Sequence, residues 1–168
     1  MNFLIVQLIG AVGFATISLS YFKKDKTQIL FMQLIAYIMF SVHYYFLNGI
    51  SGAICNLICL LALTVIYFFE RYHLKYKIIP TILFCLVLLI VNIVTFQNIY
   101  SVFPLIASEI VILSFLTDSE NLIRIIGLVS FICWLIYAII YKSYVSIFFE
   151  IVIIISNCIS IIKNKPKV

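Results

Sequence analysis

Charged residues are scarce in this chain, and their scarcity excludes most soluble folds. Of 168 residues, 10% are charged and 65% are apolar, whereas a soluble domain carries about 25% charged and roughly 45–50% apolar residues. A single domain of this size buries only about 70% of its unfolded surface, so the apolar excess must face something other than water. We therefore predict that the chain lies in a lipid bilayer and carries no separate soluble domain.

Catalytic and metal-binding motifs are missing as well. The sequence contains no His-Glu-x-x-His, no Gly-x-Ser-x-Gly, no glycine-rich phosphate loop and no dense cluster of acidic residues or histidines. No Cys-x-x-Cys pair is present, so we interpret the five cysteines as packing thiols: Cys55, Cys59, Cys85, Cys133 and Cys158. We therefore expect no enzymatic activity, no cofactor and no metal.

Apolar stretches long enough to cross a bilayer are abundant. A membrane-spanning helix needs about 20 largely apolar residues, and seven stretches approach this length: 2–22, 29–47, 50–69, 78–96, 100–116, 122–141 and 144–162. The first has no basic region before it and no small-residue cleavage site, so we interpret it as a retained helix. The sequence thus predicts an all-α polytopic membrane protein with seven transmembrane helices and the lipid bilayer as its main partner.

The basic residues fall almost entirely on one side of the predicted membrane. With seven alternating helices, one side carries only Lys142, and the other side carries ten basic residues: Lys23, Lys24, Lys26, Arg71, Lys75, Lys77, Arg124, Lys163, Lys165 and Lys167. Cytoplasmic loops are enriched in lysine and arginine, so we predict a cytoplasmic C-terminus and an N-terminus outside. These residues read as loop anchors, and we expect no nucleic-acid partner.

The chain contains an internal repeat of layout. A shift of 94 positions places the first three apolar stretches on the last three without a gap. Residues 23–28 then fall on 117–122, and the turn at 48–49 falls on 142–143. Because the fourth stretch inverts the direction of the chain, the two copies run parallel, as in the SWEET transporters.

This repeat predicts a SWEET-like 3+1+3 architecture, in which two parallel three-helix bundles are joined by an inverting linker helix. We expect any ligand site to lie between the two bundles, roughly 9–10 Å below the outer boundary of the membrane. The corresponding division of the chain is a first bundle at 1–69, a cytoplasmic turn and linker helix at 70–98, a second bundle at 99–163 and a cytoplasmic tail at 164–168.

Three segments resemble a known family. They are VHYYFLNGISGAICN with His43, Gly49 and Asn56, VFPLIASE with Pro104, and CWLIYAIIYKSYVSIFFEIVIIISN with Trp134, Glu150 and Asn157. The pattern resembles the YgjV-like proteins of the bacterial inner membrane, which are similar in turn to the SWEET, SemiSWEET and PQ-loop superfamily. The resemblance covers nearly the whole chain and implies a multi-pass protein of the inner (plasma) membrane.

Similarity to SWEET transporters also implies a place for a ligand. In that superfamily a tryptophan on the second helix of each bundle and an asparagine on the third face a central sugar site. At the corresponding positions this chain has Phe40 and Asn56 in the first bundle and Trp134 and Glu150 in the second. One tryptophan and one asparagine are therefore replaced, and the Pro-Gln motif is absent, so the implied solute is small and polar, and a sugar is one option.

Polar residues inside the apolar stretches indicate the same region. Ionisable and amide side chains in a bilayer are costly and normally face a partner or a wet cavity. A polar stripe follows the seventh stretch, and an aromatic face follows the second and the sixth. We predict that residues of these faces bind substrate: Phe40, His43, Asn56, Trp134, Tyr137, Glu150 and Asn157.

Several of these residues have a structural alternative. Trp134 is compatible with an interfacial aromatic belt. Asn56 and Asn157 are compatible with simple interhelical hydrogen bonds, and His43 with an interhelical donor whose hydrogen bonds are already made. The sequence leaves these alternatives open.

Two further features bear on coupling and gating. Glu109 in the fifth stretch and Glu150 in the seventh are candidates for proton coupling, or else for protonated carboxyls bonded to a neighbouring helix. Pro104 stands at the position equivalent to Gly10 in the repeat. A proline at this place is a candidate hinge, because it frees backbone groups.

Two functions of different classes fit this pattern. The first is a small-solute transporter that works by alternating access between the two bundles. The second is a membrane receptor or interaction protein on the same scaffold, which holds a ligand without passing it through. The sequence also leaves open whether copies of the chain assemble into a homo-oligomer.

Overall fold

The computed structural model describes residues 2–20, 26–72, 74–114, 116 and 120–163. Within these residues the chain is all-α, as predicted, and contains no strand. It forms seven α-helices and one short 3-10 helix at Ile99–Ser101. The α-helices are α1 (Phe3–Ser20), α2 (Lys26–Phe46), α3 (Ile50–Arg71), α4 (Ile78–Val94), α5 (Val102–Ser114), α6 (Glu120–Ile140) and α7 (Tyr144–Lys163).

The helices follow the seven predicted apolar stretches to within three residues at either end, and the fifth also differs in the type of helix. There the chain begins with the 3-10 helix, and the α-helix starts only at Val102. The Asn98 side chain accepts a hydrogen bond of 3.0 Å from the backbone N–H of Tyr100 and so caps this tighter turn. The predicted tail at 164–168 and the first half of each predicted polar turn, at 23–25 and 117–119, lie outside the described residues.

The internal repeat is visible in the backbone. Shifted by 94 positions, the bounds of α2 coincide with those of α6. Asn48 and Lys142, which are equivalent under this shift, both adopt a left-handed conformation, with φ of 61° and 55°. The next residue in each turn donates its N–H across the helix end over 2.9 Å, Gly49 to the carbonyl of Tyr44 and Ser143 to that of Ala138. The two turns thus end their helices with the same capping motif.

Six of the helices form a closed ring. Helix α1 packs on α2, α2 on α3, α3 on α5, α5 on α6 and α6 on α7, and α7 returns to α1. Helix α4 stands outside this ring and packs against α3 and α5. One consequence is that the two halves of the repeat meet at two seams, α3 with α5 and α1 with α7, and only the first seam is covered by α4.

The fold has an apolar exterior and buries many polar side chains in its interior. Large apolar side chains are exposed on every one of the seven helices, up to 78% for Val94. The buried set contains apolar residues together with twelve polar or charged side chains: Gln7, His43, Ser51, Asn56, Thr81, Asn92, Ser101, Ser108, Ser130, Ser143, Ser146 and Glu150. A protein in water exposes its charged residues and seldom exposes large apolar surfaces. The extensive apolar exterior suits a lipid surrounding.

Taken singly, one described helix is long and apolar enough to cross a membrane. It is Ile50–Phe69 within α3, with a mean hydropathy of 2.3. The other described helices contain apolar stretches of 10–17 residues, such as Phe3–Leu19 and Ile78–Val94. The expectation that all seven helices span the bilayer therefore stays a prediction.

Candidate functional site: a central cavity and a polar latch

A cavity of about 160 Å³ lies inside the ring of helices. Each of the six ring helices contributes to its wall, and α4 does not. The lining residues are Phe14, Ile17, Gln33, Tyr37, Phe40, Tyr44, Asn56, Val111, Ser130, Phe131, Trp134, Glu150 and Ile153. Because both halves of the repeat line it, the cavity is a site between the halves.

The wall is largely symmetric under the repeat. Four pairs of lining residues are related by the shift of 94 positions: Ile17 with Val111, Tyr37 with Phe131, Phe40 with Trp134, and Asn56 with Glu150. Asn56 and Glu150 each lie six residues after the start of their helix. With a rise of about 1.5 Å per residue, both side chains stand about 9 Å below the adjacent turn.

Aromatic rings in mutual contact form much of the wall. The rings of Tyr44 and Trp134 stack with their centroids 5.5 Å apart. Phe14 packs on Phe40 at 4.7 Å and stacks on Phe149 at 4.6 Å. Such contacts restrict ring rotation, because each ring fills the space beside its neighbour. The cavity therefore has firm apolar walls contributed by both halves.

Most polar groups of the wall are already bonded to the protein. Asn56 donates its Nδ2 to the carbonyl of Gly52 over 2.8 Å, and Ser130 donates its hydroxyl to the carbonyl of Ala107 over 3.1 Å. Glu150 differs, because its Oε2 is buried and has no hydrogen-bond partner among the described residues. Only 7% of this residue is exposed. An unbonded carboxyl oxygen in such a place is costly unless a ligand or a proton satisfies it.

His43 makes the first of two polar contacts that cross between the halves. Its Nδ1 donates to the carbonyl of Val6 over 2.7 Å, since a carbonyl can only accept. Its Nε2 lies 2.6 Å from the hydroxyl of Ser143, at the start of α7. That hydroxyl in turn lies 2.6 Å from the hydroxyl of Ser146. His43 therefore ties α2 of the first half to α7 of the second.

Tyr137 makes the second contact, in the opposite direction. Its hydroxyl accepts the N–H of Gly52 over 2.9 Å and lies 2.9 Å from the hydroxyl of Ser51, both near the start of α3. A glycine is required at position 52, because a Cβ there would collide with the Tyr137 ring. At Gly49 a Cβ would stand 2.9 Å from the same hydroxyl. Tyr137 therefore ties α6 of the second half to α3 of the first.

These contacts form a reciprocal arrangement that we call the latch. His43 and Tyr137 are equivalent under the shift of 94 positions, and each reaches the start of the third helix of the other half. Gln7 adds a further link, donating to the carbonyl of Lys142 and accepting the N–H of Val145, each over 3.2 Å. The latch comprises Gln7, His43, Ser51, Gly52, Tyr137, Ser143 and Ser146.

The latch lies at one end of the bundle. We call this end the turn end, because it carries the tight turns at 48–49 and 142–143. From the latch, the cavity extends away from the turn end as far as Ile17, Gln33 and Val111. Tyr44 joins the two features, since its ring stacks on Trp134 in the cavity and its hydroxyl interacts with Ser146 in the latch and with Glu150.

The structure brings four of the predicted substrate residues together. Phe40, Asn56, Trp134 and Glu150 all line the cavity. The other three lie elsewhere: His43 and Tyr137 belong to the latch, and Asn157 lies further along α7, opposite Gly127 of α6. For His43 the structure shows the alternative of an interhelical donor whose hydrogen bonds are made.

The predicted coupling and hinge residues differ in position. Glu150 is in the cavity, whereas Glu109 lies on α5 beside the Cys85 thiol of α4, outside the cavity lining. Pro104 is fully buried in the first turn of α5. A proline in the first turn of an α-helix removes no hydrogen bond of that helix, and the role of Pro104 as a hinge stays a prediction.

Several lining residues escaped the sequence interpretation. Tyr37 and Phe131 lie one turn before Phe40 and Trp134 on the same helix faces, and they are equivalent under the repeat. The same shift that paired Phe40 with Trp134 could therefore have found them. Phe14 had no such signal, because its equivalent position holds Ser108, which does not line the cavity.

The described residues do not form a metal centre. No three histidine, cysteine or acidic side chains in this part of the chain come together in a group that could hold an ion. The five cysteines are free, and Cys55 accepts a hydrogen bond of 3.2 Å from Asn92. The chemistry that this site offers is therefore that of aromatic faces, hydrogen-bonding side chains and one carboxyl group.

A helical ring with an apolar exterior and an internal cavity lined by aromatic and polar residues is typical of a membrane protein. The chain belongs to the Imp-YgjV family, described as bacterial inner membrane protein, whose family model matches residues 4–167. The resemblance to the YgjV-like proteins is confirmed, and the location is the bacterial inner membrane. The relation to the SWEET and PQ-loop superfamily stays a prediction. No curated protein and no solved structure matches the chain.

Proposed function

We propose that this protein is a transporter of a small polar solute that works by alternating access between two three-helix bundles. The first bundle is α1 to α3, the second is α5 to α7, and α4 is the linker that inverts the chain between them. All seven helices cross the membrane, with the N-terminus and the turn end outside and the C-terminus in the cytoplasm. The solute binds in the central cavity.

The observation that carries this proposal is the position of the cavity between two equivalent halves. Helices pack more extensively within each half than across the two seams, which favours motion of the halves as units. Transporters built from internal repeats bind their substrate at the repeat interface and rock one unit against the other. The paired lining residues, above all Asn56 and Glu150, provide such an interface here.

The latch supports the same mechanism, because it closes the cavity toward one side of the membrane. Five hydrogen-bond contacts cross between the halves in the latch, from His43, Tyr137 and Gln7. At about 0.6 kcal/mol each in a membrane protein, they sum to roughly 3 kcal/mol. A difference of a few kcal/mol is typical of conformations that exchange at equilibrium. The latch is therefore strong enough to favour the closed state and weak enough to open.

Uptake into proteoliposomes tests the proposal. Purified full-length protein is reconstituted, and entry of radiolabelled solutes, both sugars and small amines, is measured against empty liposomes. We expect uptake of at least one solute, with strong loss in Glu150→Gln and in Asn56→Ala. Glu109→Gln makes the same chemical change outside the cavity lining, and normal uptake in this variant would also exclude Glu109 from proton coupling. If both cavity variants transport like the parent protein, the cavity is not the transport site.

The same preparation separates a transporter from a receptor. A receptor on this scaffold binds its ligand in the cavity without moving it, so binding depends on Asn56 and Glu150 while uptake stays at the level of empty liposomes. This outcome would exclude transport and retain the site. A protein that neither binds nor transports any solute of either class would leave no support for a solute function.

The proposed orientation has its own test. Lys142 and Lys75 are both exposed, at the turn end and in the turn between α3 and α4. A single cysteine at each position, in a background with Cys158→Ser, is treated with a membrane-impermeant thiol reagent on intact spheroplasts. We expect labelling at position 142 and none at position 75 until the membrane is opened. The reverse pattern contradicts the orientation.

A further inference from the structure

Glu150 makes the two halves of the cavity wall chemically different, because the equivalent position in the first half holds the neutral Asn56. No lysine, arginine or histidine lines the cavity among the described residues, and Glu150 is its one carboxyl group. Its Oε2 is buried without a partner. An ionised carboxyl group in an apolar setting is stabilised by a positive group or by hydrogen-bond donors beside it. The wall therefore has room for a positive charge on the ligand.

The other polar groups of the wall supply both acceptors and donors. Ser130 donates its hydroxyl to the carbonyl of Ala107, and Asn56 donates one N–H of its amide to the carbonyl of Gly52. The second N–H of Asn56, the amide of Gln33 and the indole N–H of Trp134 also belong to the lining. The charge of Glu150, rather than the number of donors or acceptors, is therefore what distinguishes a cation from a neutral solute at this site.

The aromatic walls suit the same ligand. Six aromatic residues line the cavity: Phe14, Tyr37, Phe40, Tyr44, Phe131 and Trp134. Aromatic faces attract a cation placed within about 6 Å of the ring centre, and cages of such rings bind choline-like groups. Tyr44 and Trp134 are held by their stacking at 5.5 Å, and Tyr44 lies close enough to Glu150 for an electrostatic interaction. The aromatic rings and the carboxyl group therefore face the same space in the cavity, so that one ligand placed there contacts both.

We infer that the central cavity binds a small organic monocation, an amine or a quaternary ammonium ion, with Glu150 as its counter-ion and aromatic rings as its walls. A single carboxyl group matches a single positive charge, because the equivalent position in the other half holds the neutral Asn56. The cavity of about 160 Å³ limits the ligand to a small molecule. This inference rests on the proposed solute site and adds the class of solute.

Equilibrium binding to the purified full-length protein in detergent tests the inference without requiring transport. The probes are choline and n-butylammonium, as a quaternary ion and a primary amine, and 3,3-dimethyl-1-butanol, which has the shape of choline without its charge. We expect at least one of the two cations to bind and the neutral alcohol to bind at least about tenfold more weakly. The preferred cation identifies the headgroup. Equal binding of the alcohol, or no binding of either cation, overturns the inference.

Two carboxyl variants locate the charge. Glu150→Gln preserves shape and removes the counter-ion, and we expect it to weaken cation binding about 10- to 100-fold. Glu109→Gln, beside α4 and outside the cavity lining, is expected to bind like the parent protein. Thermal unfolding of each variant verifies that it is folded. Unchanged binding in a folded Glu150→Gln protein contradicts the inference.

Two further measurements complete the test. Trp134→Leu is expected to weaken cation binding roughly 3- to 30-fold while barely affecting the neutral alcohol. Competition with sodium at equal concentration should leave choline bound, and full displacement would identify an inorganic cation site and overturn the inference.

Uptake of a sugar with no cation binding would overturn the inference and retain the transporter, whereas Glu150-dependent cation binding without uptake would exclude the transporter and retain the cation site.

Discussion

The two halves of this protein share a backbone and differ in the chemistry they bring to the cavity. In both halves the second helix ends in the same left-handed turn, at Asn48 and at Lys142. In both halves an equivalent residue, His43 or Tyr137, reaches across to the other half. In the cavity, however, Asn56 is hydrogen-bonded within its own helix, while the equivalent Glu150 has an oxygen without a partner. Both halves therefore contribute to the latch, whereas only the second half contributes a carboxyl group to the cavity.

The largest effect is expected when the two equivalent cavity positions, 56 and 150, carry the same residue. In Glu150→Asn both halves carry asparagine, and we expect solute uptake into proteoliposomes to fall at least about tenfold, because the counter-ion is lost. The double variant Asn56→Glu with Glu150→Asn moves the carboxyl group to the equivalent place in the other half. If the cavity is symmetric in shape, the double variant regains much of the lost uptake. Loss in both variants would show that surroundings of Glu150 matter beyond its charge.

The next effect concerns the glycine that admits Tyr137 to the latch. A Cβ at Gly52 would overlap the Tyr137 ring, so Gly52→Ala is expected to destabilise the protein by about 1–3 kcal/mol and to displace that ring. Gly127 is the matched control, because a Cβ there comes no closer than 3.4 Å to Phe131. Gly127→Ala is expected to stabilise by up to about 1 kcal/mol, as glycine is unfavourable inside a helix. Thermal unfolding in detergent measures both changes. Equal shifts of the unfolding temperature in the two variants would contradict the requirement for glycine at position 52.

A smaller effect distinguishes the two arms of the latch, which are the contact made by His43 and the contact made by Tyr137. Tyr137→Phe removes the hydroxyl that bonds Ser51 and Gly52, and Ser143→Ala removes the partner of His43. We expect each to cost about 1 kcal/mol and to raise the labelling rate of a cysteine at position 56 by an impermeant reagent added from the turn end. The double variant should label faster than either single one. An effect confined to one arm would show that the latch is not reciprocal.

The smallest expected effect concerns the left-handed residues of the two equivalent turns, Asn48 and Lys142. Lysine adopts the left-handed conformation less readily than asparagine or glycine, so Lys142→Gly is expected to raise stability by up to about 1 kcal/mol and Lys142→Asn by less. Asn48→Lys should lower it by a similar small amount. The hydrogen bond from Gln7 to the carbonyl at position 142 does not depend on the side chain there. Thermal unfolding again provides the measurement, and a loss of stability in Lys142→Gly would contradict the role of the turn.

Much of the fold follows from local patterns in the sequence. Apolar stretches and turn residues predict the helices to within a few residues, and the shift of 94 positions anticipates the coincidence of α2 with α6. The exception is the start of α5, where the bond to Asn98 holds a 3-10 turn that hydropathy does not reveal. The order of helices around the ring is also absent from the sequence, because it depends on which apolar faces fit each other.

The site was predictable only in part for the same reason. Periodicity places Phe40 and His43 on one face of α2, and both face inward as expected. It does not show that they stand at different depths, so that Phe40 lines the cavity and His43 belongs to the latch. Glu109 illustrates the limit more strongly, because nothing in its helix pattern indicates that α4 rather than the cavity lies beside it.

The position of α4 has a mechanical consequence. It packs against α3 and α5 and so joins the two halves along one edge only. Along the opposite edge, α1 and α7 meet through contacts that include the bonds from Gln7 to Lys142 and Val145. If the halves separate, the edge without α4 offers the smaller resistance. Rotation is therefore expected about an axis near α4, with the widest opening between α1 and α7, the helix that carries Glu150.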